Sequence, residues 1–235
     1  MIKTALGALI AEDVVSGRRD WRDPVEVGEP MRAPGDGLLS GMDLPRTLAL
    51  EEVVMLMVAV SDNTATNAVI DTLGGLRAVN AHMAQAGWSA RIRRTSGGRD
   101  VADDADQLAA DPGLPTPAGL SRMTLLDHQD ALARLRAAGP RAVAPFLYQQ
   151  DRRSLARWLS LAASFAHKTG TVDRVRHDAG VLICDQFELW VACFTDGGPT
   201  DEYVDHPSCL AMAAAMRGTL RVLGLTPSLV EPAAR

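Results

Sequence analysis

The most constraining feature of the sequence is an apolar run, VVMLMVAV at 53–60, that leads directly into the polar heptapeptide SDNTATN at 61–67. The run predicts a buried helix over 50–60, and Gly74-Gly75 ends the segment after it. Such a helix delivers a serine, a carboxylate and an amide to a sharp turn, where buried polar groups cost about 1–3 kcal/mol each if unpaired. Two interpretations stay open on this stretch alone: the residues cap the next helix, or they belong to a functional site.

The use of lysine distinguishes these interpretations. A second polar stretch, HKTGT at 167–171, lies far downstream. The chain has 24 lysine and arginine residues, yet only Lys3 and Lys168 are lysines. Arginine stays protonated in proteins, whereas a buried lysine can lose its proton and act as a base. Lys3 and Lys168 are therefore candidate functional residues.

The pattern of the remaining chain indicates an α+β protein. Loops with little regular structure are predicted over 16–47, and helices over 4–15, 50–60, 65–73, 76–86, 116–136 and 145–161. The first of these helices is apolar on nearly every side, which predicts a position in the centre of a lobe. An antiparallel meander over 165–171, 179–184 and 188–195 and a closing helix over 207–223 follow. We therefore expect a mainly helical part, 1–164, and a sheet part, 165–235, of one domain.

Composition excludes several functions. The net charge of −5 gives no reason to expect a nucleic acid or an anionic membrane surface as a partner. The apolar runs are shorter than the ~20 residues that span a bilayer. The three cysteines, Cys184, Cys193 and Cys209, have no zinc-like spacing and are interpreted as packing residues. We expect no metal and no cofactor.

Two motifs carry a family resemblance. Ser61-Asp62-Asn63 followed by Lys168-Thr169-Gly170 is two thirds of the signature of penicillin-recognising serine hydrolases. The chain resembles the class A β-lactamase and penicillin-binding serine hydrolase family, and more closely the β-lactamase-related hydrolases with the pattern HKTG…HDAG, here at 167–170 and 177–180. GDGLL at 35–39 and Thr116-Pro117 extend the resemblance to nearly the whole chain.

The resemblance implies a fold, an activity and a setting. The fold would be β-lactamase/transpeptidase-like, with a helical lobe beside an antiparallel sheet flanked by helices. The substrate would be a small molecule, a β-lactam or a related amide or ester, and the full-length protein a monomer. A periplasmic or secreted location is expected from the family, although no signal segment is visible in the sequence.

The resemblance also implies roles for the catalytic residues. Lys3 would lie beside a nucleophilic serine as its base or proton relay. Ser61 would pass a proton between Lys168 and the leaving nitrogen, and Lys168 would supply positive charge. The three side chains are therefore expected to line one cleft.

Substrate binding would involve residues of both motifs. Asn63 would hold a substrate amide, Thr169 would bond a substrate carboxylate, and the backbone amide of Thr171 would donate to the oxyanion, with Gly170 completing the motif. Arg174 and Arg176 either pair with a substrate carboxylate or belong to a solvated turn. His167 and His177 are interpreted as hydrogen-bonding structural residues.

The sequence departs from the family pattern in two places. No Ser-x-x-Lys occurs, and with Lys3 as the motif lysine the serine falls directly before Met1, so we expect the first strands and helix to be missing and this chain to be inactive. No Glu-x-x-Leu-Asn element precedes Thr116, and Asp103, Asp104 and Asp106 do not match its spacing and fit a solvated acidic loop. Slow turnover is expected, and the alternatives are a slowly acylating D,D-peptidase or esterase, or a non-catalytic binding protein.

Overall fold

A computed structural model describes residues 1–97, 121–172, 174–185, 187–200, 205–225 and 229. It contains two compact units. The helical unit comprises Ile2–Pro145, and the sheet unit comprises Phe146–Arg235 together with Met1. The predicted acidic loop and the start of the predicted 116–136 helix lie outside the described residues. No helix in the described part of the chain is long and apolar enough to cross a membrane.

The helical unit is built around its first helix. Its described helices are α1 (Ile2–Val15), α2 (Leu50–Ala59), α3 (Asn63–Thr72), α4 (Gly75–Gln85) and α5 (Leu125–Ala137). A further helix, α6 (Pro140–Leu147), begins in this unit and ends in the first residues of the sheet unit. Helix α1 is buried without interruption from Lys3 to Ala11 and packs against α2, α3, α4 and α5. A helix that is apolar on all sides can be buried in this way, as the sequence predicts.

Short strands complete the helical unit. Strand β1 (Pro24–Val27) pairs antiparallel with β2 (Arg46–Ala49), and β3 (Arg91–Ile92) pairs with β4 (Ser121–Arg122). The prediction of loops with little regular structure over 16–47 is therefore wrong where β1 and β2 form. Strands of four residues beside prolines give too little alternation to be recognised from the sequence.

The sheet unit contains the predicted meander. Strands β5 (Ser164–Val172), β6 (Val175–Ile183) and β7 (Glu188–Phe194) form a three-stranded antiparallel sheet in that order. Helix α7 (Pro207–Val222) buries one stripe of side chains, Cys209, Met212, Met216 and Leu220, in a cluster with Phe165 and Leu182 of the sheet. The strands and the closing helix agree with the sequence-based expectation.

Two predicted helices differ from the structure. The helix predicted to begin at Thr116 begins at Leu125 in the described residues, because the Thr124 hydroxyl caps it by accepting from the Asp127 backbone N–H at 3.1 Å. The helix predicted over 145–161 is absent beyond Leu147. There, side chains replace the helical backbone pattern: Gln149 Oε1 accepts from the Asp151 N–H at 3.0 Å.

Candidate active site

The serine of the polar heptapeptide lies in the turn between α2 and α3. Its backbone adopts the left-handed conformation, with φ of 60°. Such a φ is uncommon for a residue other than glycine and marks a position held by its surroundings. Asp62 follows as the N-cap of α3, so the capping interpretation is correct for this residue.

The carboxylate of Asp62 fixes the turn. It is 1% exposed and accepts three backbone N–H groups: Ala65 at 2.8 Å on Oδ1, and Leu38 at 2.6 Å and Leu39 at 2.9 Å on Oδ2. A buried carboxylate is tolerated when hydrogen bonds satisfy its charge in this way. Asp62 therefore ties the start of α3 to the loop that contains GDGLL.

Glycines in that loop allow it to approach Asp62 and Asn63 closely. At Gly37, φ is +118°, and a Cβ atom would lie 2.3 Å from the Asp62 Cγ. At Gly35, φ is +97°, and a Cβ atom would lie 2.8 Å from the Asn63 Nδ2. Both the conformation and the space demand glycine at these positions.

Further residues of the heptapeptide bind neighbouring backbone. Asn67 donates from Nδ2 to the carbonyls of Met31 and Ser96 at 3.0 Å each, and its Oδ1 accepts from the Ser96 N–H at 2.8 Å. Thr64 Oγ1 accepts from the Ala33 N–H at 3.1 Å. The heptapeptide is thus a structural hub as well as a candidate site.

The amine of Lys3 joins Ser61 and Asn63 into one cluster. Lys3 is 8% exposed, and its Nζ donates to the Ser61 carbonyl at 2.5 Å, the Ser61 Oγ at 3.1 Å and the Asn63 Oδ1 at 3.0 Å. The left-handed turn directs both the carbonyl and the hydroxyl of Ser61 to the same amine. This geometry permits proton exchange between Lys3 and Ser61.

Lys168 lies on β5 in the sheet unit and is 1% exposed. Its Nζ donates to the Thr169 carbonyl at 2.8 Å and lies 3.5 Å from the Thr169 Oγ1. Burial alone would raise the pKa of the Asp151 carboxyl, but hydrogen bonding and charge from Arg153, with a contribution from the positive charge of Lys168, lower it below its usual value. The predicted convergence of Lys168 with Lys3 and Ser61 stays a prediction.

The predicted substrate-binding residues of the sheet unit occupy paired strand positions. Thr171 pairs with Arg176 and Gly170 with His177, so Arg176 shares a face of the sheet with Thr169 and Thr171. Arg176 is 5% exposed, and a guanidinium N–H donates to the Val175 carbonyl at 2.9 Å. A solvated turn therefore does not describe Arg176.

Arg174 differs from Arg176. It is exposed, with φ of 57°, in the turn between β5 and β6. Its guanidinium donates to the Gly197 carbonyl at 3.4 Å. The solvated-turn interpretation fits this arginine.

The two histidines make hydrogen bonds in the sheet unit. His167 Nδ1 lies 2.8 Å from Asp178 Oδ1, and His177 Nδ1 accepts from the Thr195 N–H at 3.2 Å. Burial lowers the pKa of His177 below its usual value. No cluster of three or more His, Cys, Asp or Glu residues suited to a metal ion occurs within the described ranges.

A separate cleft of about 430 Å³ opens in the helical unit away from Lys3 and Ser61. Its charged lining is already paired: Arg18 contacts Asp13 at 2.6 Å, and Arg134 contacts Glu12 at 2.6 Å. These charges are matched within the cleft, whereas the Lys3 cluster brings together residues of the predicted site, so the Lys3 cluster is the better candidate site.

Sequence reasoning missed part of the site. The anchoring role of Asp62 and the pairing of His167 with Asp178 were not anticipated. The available signal was the spacing of small and acidic residues: GDGLL precedes the heptapeptide, and HDAG follows HKTG.

Comparison with solved structures identifies the fold. A β-lactamase from Sphaerobacter thermophilus DSM 20745 is 28% identical, with a TM-score of 0.75 over 96% of this chain and 82% of that chain. A class A β-lactamase from Bacteroides cellulosilyticus DSM 14838 is 17% identical, with a TM-score of 0.74 over 94% and 82%. A variant of PBP-A, in an acyl-enzyme complex with penicillin G, is 22% identical, with a TM-score of 0.74 over 95% and 80%. The fold is therefore the β-lactamase-like α+β fold.

A family model described as the beta-lactamase enzyme family matches residues 1–215, and the chain belongs to this family. The resemblance inferred from the two motifs and the predicted fold are both confirmed. Among curated proteins, the comparison found no match.

Proposed function

We propose that the protein acts as a serine hydrolase that forms an acyl-enzyme with a β-lactam or a related amide or ester. The observation that carries the proposal is the 3.1 Å contact between Lys3 Nζ and Ser61 Oγ in a chain of the β-lactamase family. The penicillin G acyl-enzyme of the similar PBP-A supports this class of substrate.

The proposed nucleophile is the serine of the Ser-x-x-Lys pattern. In the Ser-x-x-Lys pattern the serine precedes the lysine by three positions, and Lys3 is the lysine that contacts Ser61 and Asn63. Within the 235 residues no serine stands three positions before a lysine.

The proposed reaction has a balanced proton path. The serine hydroxyl adds to the substrate carbonyl carbon and gives its proton to the neutral amine of Lys3. The carbon–nitrogen bond then breaks, Ser61 gives its hydroxyl proton to the leaving nitrogen, and Ser61 regains a proton from Lys3. The acyl group stays on the serine as an ester, which water later hydrolyses. Lys168 contributes positive charge to this path.

Substrate recognition is proposed for residues of both units. The Asn63 Nδ2 donates to the Pro34 carbonyl at 3.0 Å, and because an amide group has two N–H bonds it can also donate to a substrate carbonyl. In the sheet unit, Thr169, Gly170 and Thr171 are proposed to bind substrate, with the Thr171 N–H as an oxyanion donor. Arg176 would bind a substrate carboxylate.

Acylation would be followed by slow release. The glutamate that drives deacylation in class A β-lactamases has no counterpart in the sequence pattern before Thr116. Hydrolysis of the ester would then lack a general base, whose contribution is typically about 10²–10⁴-fold. A slowly acylating D,D-peptidase or esterase remains the alternative within the same chemistry.

The proposal is tested by comparing the 235-residue chain with a version extended upstream through a serine directly before Met1. Incubation with a fluorescent penicillin and mass spectrometry should show an adduct of ligand mass on the extended chain alone. Lys3→Arg keeps a hydrogen-bonding cation but cannot act as a base, so acylation should fall about 10²–10⁴-fold. Labelling of the 235-residue chain itself would show that the nucleophile is misassigned. A folded extended chain without an adduct would favour a non-catalytic binding protein.

A further inference from the structure

The HKTG and HDAG segments lie opposite each other on β5 and β6. Lys168 pairs with Ala179, and the two adjacent rungs are His167 with Gly180 and Thr169 with Asp178. A contact between His167 and Asp178 therefore crosses the Lys168 rung diagonally. Since side chains alternate between faces along a strand, this contact lies on the face opposite to the Lys168 side chain.

That diagonal contact is fully buried. His167 Nδ1 lies 2.8 Å from Asp178 Oδ1, and the two side chains are 1% and 0% exposed. Asp178 is the hydrogen-bond partner of the His167 ring among the described residues, because the ring Nε2 is buried without one. The ring also stacks on Phe165, with centroids 4.5 Å apart. His167 is thus held by one polar contact and one aromatic contact, both within the sheet.

Gly180 makes room for this contact. A Cβ atom there would lie 2.5 Å from the His167 Cβ and 2.4 Å from the Ala166 carbonyl oxygen. The glycine of HDAG therefore lets β5 approach β6 closely at His167, beside the contact with Asp178. His167 of the first segment and Asp178 and Gly180 of the second therefore form one contact cluster.

Asp178 connects this contact cluster to a third segment of the chain. Its Oδ2 accepts from the Leu155 backbone N–H at 2.9 Å. Residue 155 follows closely after Asp151, whose carboxyl responds to the positive charge of Lys168. One buried carboxylate therefore ties together β5, β6 and the segment that brings a negative charge near Lys168.

We infer that the His167–Asp178 pair is the positioning device of Lys168. The pair lies on the face of the sheet opposite to the Lys168 side chain. From there it fixes the position of residue 168 and the register of β5 against β6. The significance of this device for catalysis rests on the proposed function, but the position of Lys168 can be measured without any activity.

The experiment uses the scarcity of lysine. Incorporation of ¹³Cε-lysine into the full chain gives two side-chain NMR signals, from Lys3 and Lys168, and Lys168→Arg identifies which is which. His167→Leu removes the donor while keeping bulk, and it should shift the Lys168 signal while leaving the Lys3 signal in place. His167→Asn offers an amide donor near the Nδ1 position and should restore most of the original shift.

Asp178→Asn provides a second, isosteric variant if His167→Leu does not fold. It should also shift the Lys168 signal, because it removes the carboxylate that lies diagonally behind the lysine. Asp127→Asn is the matched control, since Asp127 is a buried carboxylate of the helical unit that bonds Ser89 and Thr124. It should lower stability without a selective shift at Lys168.

A second measurement, the rate of acylation, tests whether the His167–Asp178 pair affects catalysis. In the extended chain with the upstream serine, His167→Leu should slow acylation by up to about a hundredfold, and His167→Asn should recover most of the rate. If the extended wild type is not acylated, the proposed function fails, and the lysine spectra still decide the positioning role. Folded His167→Leu and Asp178→Asn proteins with an unchanged Lys168 signal would overturn the inference.

Discussion

The turn at Ser61 and the strand that carries Lys168 are held by different kinds of interaction. Around Ser61, single side chains bind backbone groups of a loop: the Asp62 carboxylate accepts three N–H groups, and Asn67 bonds Met31 and Ser96. Around Lys168, the backbone ladder of β5 and β6 supplies most contacts, and one buried pair, His167 with Asp178, crosses it.

This difference has consequences for mutation. A loop held by one carboxylate loses several bonds at once when that group changes. A strand held by a ladder keeps its backbone bonds when one side chain is lost, and only fine position is affected. The turn at Ser61 should therefore respond mainly in stability, and β5 mainly in geometry. The following substitutions test this comparison, from the largest effect to the smallest.

Gly37→Ala should have the largest effect. A Cβ atom at this position would lie 2.3 Å from the Asp62 Cγ and 2.5 Å from its Cα, with φ at +118°. Backbone cannot move aside cheaply, so the free energy of unfolding should fall by about 4–5 kcal/mol, measured by urea denaturation. Gly41→Ala is the control in the same segment, because a Cβ atom there meets nothing within 4 Å. Equal losses in the two variants would contradict the anchoring role of the loop.

Gly180→Ala is the counterpart in the sheet. The added methyl would meet the Ala166 carbonyl oxygen at 2.4 Å and the His167 Cα at 2.8 Å, so β5 must move away from β6. A loss of about 3 kcal/mol is expected in urea denaturation, typical of overpacking against backbone. Gly218→Ala, in the exposed interior of α7, should instead stabilise by up to about 1 kcal/mol. If Gly180→Ala left the stability unchanged, the His167 contact would not depend on a close approach of β5 to β6 at Gly180.

Asp62→Asn isolates the carboxylate of the turn. The amide keeps one acceptor oxygen, while its Nδ2 faces backbone donors that Asp62 satisfied, so buried N–H groups of the loop lose their partner. The expected loss is about 2–3 kcal/mol in urea denaturation. Asp36→Asn, at an exposed position of the same loop, should change stability by less than about 0.5 kcal/mol. Similar losses in the free energy of unfolding in both variants would mean that the negative charge of the loop, and not the three hydrogen bonds of Asp62, stabilises the turn.

The parts of the site that the sequence predicted are those that depend on residue type alone. The scarcity of lysine singled out Lys3 and Lys168, and apolar runs located α1, α2 and the meander. The parts that could not be predicted from the sequence depend on contacts between residues that lie far apart in the chain. The close approaches of Gly37 to Asp62 and of Gly180 to His167 are set by tertiary packing.

The missed elements have the same cause. Over 145–161 the sequence predicts an amphipathic helix. Beyond Leu147, however, the Arg152 guanidinium bonds the carbonyls of Ala156 and Leu159, and the Leu155 N–H bonds Asp178. These partners outcompete intrahelical bonds, and no local pattern reveals them.

The smallest effect concerns the backbone of Ser61 itself. Ser61→Ala and Ser61→Gly both remove the hydroxyl that contacts Lys3, so in the extended chain both should lose acylation to the same extent. They differ in the backbone, because alanine keeps a Cβ atom at φ of 60° and glycine does not. Ser61→Gly should therefore be more stable than Ser61→Ala by about 1 kcal/mol, even though glycine gains entropy in the unfolded chain. At Ser208, in α7, the same pair of substitutions should show the opposite order, since alanine is favoured over glycine in a helix. Equal order at both positions would mean that the turn is relaxed, and that Lys3 does not depend on a strained backbone to meet both oxygens of Ser61.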